Sequence, residues 1–126
     1  MKILIETIRH ENHRYPTVGD WTRDPDGTLH IKVSEEIGDK YATLVALHEL
    51  VEVLLCEERG ITDAVVTEFD EKFEENRQVD DDSEPGDDPL APYRKEHLFA
   101  TGIEKLMAAE LDVNWKAYEQ AINDLP

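Results

Sequence analysis

Tyr41–Cys56 reads YATLVALHELVEVLLC, and how this stretch is buried decides how the rest of the chain folds. Projected at about 100° per residue, Leu44, Val45, Leu47, Leu50, Val51, Val53, Leu54 and Leu55 fall on every side. A helix that is apolar all round runs through the middle of a domain. His48, Glu49 and Glu52 break this pattern. His48 and Glu52 stand four residues apart, so they project about 40° from one another on one face. Tyr41, Leu44, Val51 and Leu55 surround them there, and Glu49 points about 100° away at the edge of the same patch. A buried carboxylate without a partner is costly enough to force a proton onto it, so a partner is expected, and a divalent metal is one.

On the N-terminal side, residues 2–8 (KILIETI) predict a first strand. Residues 17–23 and 29–34 flank DPDGT, whose Pro25 and Asp26-Gly27 supply turn chemistry, and so predict a β-hairpin. Leu29, Ile31 and Val33 alternate with His30 and Lys32, placing the first three on a buried face and His30 outside. Between strand and hairpin lie His10 and His13, a pair able to bind metal but expected as solvated loop residues. Ser34 suits an N-cap, Gly38 delays the helix to about Asp39, and Gly60 ends it after Arg59.

On the C-terminal side, Thr62 caps a second helix with Val65, Val66, Phe69 and Phe73 inward. Glu68, Asp70, Glu71, Glu74 and Glu75 are expected on its solvated face. Asp80–Asp88 (DDDSEPGDD) predicts an acidic loop, 80–91, serving as a linker. Its glycine comes one position late for a calcium loop starting at Asp80; placed beside a catalytic centre, the loop would act as a lid. Pro92 suits the first turn of a helix reaching about Leu111, with His97, Thr101, Glu104 and Ala108 in one stripe and Tyr93 beside it. Trp115, Tyr118, Ile122 and Leu125 share one face of a last packing helix. The expectation is an α+β fold in one domain, 1–126: a strand and hairpin packed on a central buried helix, with three further helices.

The chain has 126 residues and carries 30 acidic against 13 basic groups, a formal charge of -17. That balance argues against direct binding to nucleic acid or anionic membranes and favours cationic partners and metal ions. A single cysteine, Cys56, excludes an intrachain disulfide and suits a reducing compartment. Met1-Lys2 leads into a short β-like run rather than a signal sequence, so a cytoplasmic protein, of a kind bacteria and phages encode, is expected.

The run His48-Glu49-Leu50-Val51-Glu52 resembles the H-E-x-x-H helix of the zincin metallopeptidases, with glutamate at the second histidine's place. The resemblance implies zinc ligation by His48 and Glu52, with Glu49 as general base on the water that the metal activates. The order of strand, hairpin and helix is similar to that family's, in which an edge strand beside the helix holds an extended peptide. Packed against the Pro92 helix, the central helix would gain His97 as third ligand, with Glu104 orienting His97 and Tyr93 stabilising an oxyanion. The expected substrate is a peptide or another acyl compound.

Two other functions fit parts of the sequence. Glu49-Leu-Val-Glu52 is also an E-x-x-E pattern, as in magnesium-dependent nucleotide pyrophosphohydrolases, with Glu68 and Glu71 as a second pair. A non-enzymatic acidic protein binding a basic protein partner would use the surface charge alone. A di-iron bundle is excluded, because Val45 and Arg94 stand where E-x-x-H pairs need glutamates.

Overall fold

The computed structural model describes residues 1–126, and its elements follow the expected α+β order. Three strands, β1 (Ile3–Ile8), β2 (Gly19–Arg23) and β3 (Leu29–Ser34), form one sheet in the order β1-β3-β2. β2 and β3 are the antiparallel hairpin, with Trp21 opposite Ile31. β1 lies parallel to β3 on its other side, with Ile5 opposite Ile31. Leu29, Ile31 and Val33 are almost completely buried, as their alternation predicts. β1 is the outer strand on its side, and its Leu4 and Ile5 remain exposed.

The sheet's inner face packs on α1 (Asp39–Glu58), whose Leu44, Val45, Val53 and Cys56 join Leu29, Ile31 and Val33 in the core. Gly38 and Gly60 both have positive φ and bracket this helix. At its C-terminus Ile61 N–H donates to Cys56 O and Gly60 N–H to Glu57 O, a Schellman closure that satisfies two end carbonyls. Thr62 then caps α2 (Asp63–Glu75) through Val65 N–H. The next helix, α3 (Arg94–Glu110), starts two residues beyond Pro92, which therefore precedes the first turn instead of lying in it. α4 (Trp115–Asn123) is capped by Asn114 and buries Tyr118 completely. No helix is long and apolar enough to cross a membrane.

Four local expectations are corrected. His10 and His13 are half-buried instead of solvated: Ser34 Oγ lies 2.8 Å from His10 Nδ1 and 3.1 Å from His13 Nε2. Ser34 therefore spends its hydroxyl on the loop and caps no helix through its side chain. Asp70 of α2 is buried, drawn in by two tyrosines described below. The acidic stretch carries a 3-10 turn, Pro85–Asp87, seated on α3, so it is a packed element and not a linker.

α1 and α3 are the principal helix pair. Arg59 Nη1, just beyond α1, donates to Glu96 Oε2 of α3 at 2.6 Å. Glu96 precedes His97, so this contact from the partly exposed Arg59 to the buried Glu96 ties α1 to α3 next to the turn that carries His97.

Candidate metal centre

Four polar side chains meet between α1 and α3, all of them buried: His48, Glu52, His97 and Glu104. His48 Nε2 lies 3.1 Å from Glu52 Oε2, His97 Nδ1 lies 3.1 Å from the same oxygen, and the two nitrogens are 3.2 Å apart. These three atoms form a nearly equilateral triangle. Bonds of 2.0–2.1 Å to a tetrahedral zinc require ligand atoms about 3.3 Å apart, so an ion fits over the triangle with little adjustment. Its three corners are the three residues expected as ligands.

Glu104 departs from expectation. It holds His48 and not His97: Nδ1–H of His48 donates to Glu104 Oε1 at 2.8 Å, and Tyr118 O–H donates to Oε2. The acceptor is a carboxylate, so the proton of the neutral ring stays on Nδ1 and the lone pair of Nε2 faces the triangle. A carboxylate behind the histidine is the usual support of a metal-bound imidazole. The helical stripe placed Glu104 on the right face, but residues seven apart on α3 stand two turns from one another. His48, on the facing helix, is the nearer partner.

The back of His97 is arranged differently. Its Nε2 lies 2.9 Å from Glu84 Oε2 and 3.2 Å from Asp87 Oδ1, both on the acidic loop. Neither contact has hydrogen-bond geometry, and this buried nitrogen has no hydrogen-bond partner. Gly86 lies flat against the ring: a Cβ there would stand 2.3 Å from His97 Cγ. Sequence reasoning missed Glu84, Gly86 and Asp87 as neighbours of His97, although Pro85-Gly86 in a run of acids did mark a turn.

The electrostatics are those of a tight ion cluster. Burial disfavours the His48 cation, but hydrogen bonds to Glu104 and Glu52 raise its pKa well above the ordinary value. Burial likewise opposes the His97 cation, yet Glu52 and Glu84 raise it to about 10. Burial opposes ionisation of Glu52, and the two imidazoles override it to hold that carboxyl at about 2. Glu49 responds the other way. Burial first, and the charge of Glu52 second, push its pKa well above the carboxylate range.

Glu49 borders a cleft of about 390 Å³ whose walls include Tyr15, Trp21, Glu52, Asp70 and His97. Gly19 of β2 abuts it so closely that a Cβ would stand 2.9 Å from Glu49 Oε1. β2 is an edge strand, so one edge of the sheet runs beside the cleft. Tyr93 also lines the cleft, with its ring edge-on to His97 at 6.2 Å between centroids. Its hydroxyl donates to Asp70, which also accepts from Tyr15 at 3.0 Å. The Tyr93 proton is thus committed to Asp70, which corrects the expectation of a free oxyanion donor.

Glu68 is exposed and pairs with Lys72 one turn along α2, outside the cleft, so the second acidic pair needed for a two-helix magnesium site is not assembled. Comparisons with protein-family models, curated proteins and solved structures find no match to this chain.

Proposed function

We propose that this protein binds zinc through His48, Glu52 and His97 and uses it for hydrolysis of a peptide or related acyl bond. The observation that carries the reading is the triangle of donor atoms with edges of 3.1, 3.1 and 3.2 Å, one of whose histidines is held from behind by Glu104. Two neutral imidazoles and one carboxylate are a hydrolytic zinc set that leaves a coordination position for substrate or water. Zinc held there would supply a Lewis acid and bring the pKa of a coordinated water to roughly 7.

The chain's own residues supply the remainder. Glu49 is one residue beyond His48, faces the cleft, and has a carboxyl whose proton affinity is raised, first by burial and then by the charge of Glu52. Such a group takes a proton from an attacking water and passes it to a leaving amine or alcohol. Gly19 brings the β2 backbone against Glu49, where an extended acyl chain can lie along the edge strand. His48 is kept in one tautomer by Glu104 throughout.

Elemental analysis of untagged protein after zinc loading tests the site. About one or more zinc ions per chain, lost in both His48→Ala and His97→Ala, supports it; no zinc refutes it and leaves a structural ion cluster. Glu49→Gln separates the roles. It should retain metal and lose hydrolysis of acyl and peptide substrates, and full activity in that variant would remove Glu49 from the mechanism.

A further inference from the structure

The nitrogen that the triangle does not use points to a second ion. We propose that Glu84, Asp87 and Nε2 of His97 form a second divalent-cation site, on the opposite side of the His97 ring from Glu52, so that one imidazole bridges two ions. This rests on the first site as read above, because His97 belongs to both.

Three observations support it. The His97 side chain is only 6% exposed, and its Nε2 is a buried polar atom without a hydrogen bond. Two carboxylate oxygens nevertheless stand 2.9 and 3.2 Å from that atom, too close to be indifferent to it and out of line for a hydrogen bond. An ion draws such donors toward a common point, whereas an N–H would draw one of them into line. The second is the position of the loop: Gly86 is seated on the ring face, so the backbone between Glu84 and Asp87 is registered on His97 itself. The third is that the donor atoms of Glu84, Asp87 and His97 lie within 4.8 Å of one another.

The chemistry differs from the first site. The Glu84 and Asp87 side chains are 53% and 47% exposed, so water completes the coordination and the ion exchanges with solvent. Oxygen donors and an open geometry accept zinc or manganese, with lower affinity than the closed triangle. A neutral ring holds one proton. With the first ion on Nδ1 that proton resides on Nε2, and the second ion displaces it to solvent, leaving a bridging imidazolate. Glu52, Glu84, Asp87 and Glu104 together with that imidazolate offset the charge of two dications.

The test uses the full metal-free chain titrated with zinc chloride, read by calorimetry and by metal content at equilibrium dialysis. Two zinc ions per chain are expected, the second bound at least tenfold more weakly. Glu84→Gln/Asp87→Asn should bind one, and that one should vanish when His48→Ala is added. In the wild type at saturation, both ring nitrogens of His97 should show the nitrogen chemical shifts of metal-bound imidazole. One zinc in the wild type, unchanged in the double variant, overturns this inference and leaves the proposed function standing. Two zinc ions retained in the double variant place the second elsewhere and overturn it as well. A double variant that folds, by circular dichroism, but binds none would merge the two sites into one and also overturn it. No zinc in the wild type sinks both readings.

Discussion

Under the zinc reading proposed above, replacing Glu104 measures how much the group behind His48 contributes to metal binding. Its two oxygens serve two buried donors, Nδ1–H of His48 at 2.8 Å and the hydroxyl of Tyr118. In Glu104→Ala both lose their acceptor, at about 1–3 kcal/mol for each group left unsatisfied, so the metal-free fold should lose roughly 2–6 kcal/mol. His48 also becomes free to change tautomer and turn its N–H toward the triangle. Loss of such support lowers metal affinity by about 10–100-fold, or roughly 1.4–2.7 kcal/mol. Glu104→Gln preserves the shape: its carbonyl accepts from His48, and Tyr118 rotates its proton away to accept from the amide. Only the negative charge is lost, so an effect near the lower end, about tenfold, is expected. Competition against a chromophoric zinc chelator at neutral pH should rank affinity as wild type, then Glu104→Gln, then Glu104→Ala. A Glu104→Ala protein that is less stable yet binds zinc as tightly as the wild type would refute the reasoning. Glu104 would then be a packing partner of Tyr118 alone.

Three further outcomes are expected. Gly86→Ala drives a methyl into the His97 ring, where the structure leaves 2.3 Å to Cγ, so it should destabilise the fold by about 1–3 kcal/mol in thermal melts and weaken zinc binding in the same competition assay. Asp70 has its carboxyl raised from 3.8 to about 7, chiefly by burial and against the pull of Tyr93 and Tyr15. Its protonated form is the one the fold prefers, so its contribution is complete below pH 4 and is lost as pH rises to about 7, by up to about 4 kcal/mol at 1.36 per unit. Asp70→Asn should therefore melt higher than wild type at pH 8 and gain nothing at pH 4; a constant difference across that range would refute the assignment. Cys56 is fully buried and its thiol is pushed up to about 12, first by burial, so a thiol reagent at pH 8 should label it only in denaturant.

The parts of the fold legible in the sequence are those written in local periodicity. The helix from Asp39, its stop at Gly60, the hairpin around DPDGT and the Thr62 cap each follow from residues a few positions apart. That His48, Glu52 and His97 come together was legible for a related reason: His48 and Glu52 interrupt an otherwise continuous apolar surface, and burial of such groups demands partners. Partner choice across helices was not legible. A stripe on α3 tells which residues face α1, but the axial offset between the helices decides that Glu104 reaches His48, and that offset depends on contacts such as Arg59 with Glu96. Asp70 was hidden because an acid on an amphipathic helix looks solvated until Tyr15, from a loop 55 residues away, covers it. The seat of the acidic loop on His97 depends on a single missing Cβ at Gly86, which looks the same in sequence as any turn glycine.

The outer strand β1 leaves Leu4 and Ile5 exposed along an unpaired sheet margin. Such a margin is a template on which a second chain can add a strand. What opposes this is a formal charge of -17 on each molecule, a long-range repulsion that acts before any backbone contact forms. Salt shortens that repulsion from about 10 Å at 0.1 M to about 3 Å at 1 M. Raising the ionic strength is therefore expected to favour strand pairing along this margin, and dilute buffer to oppose it.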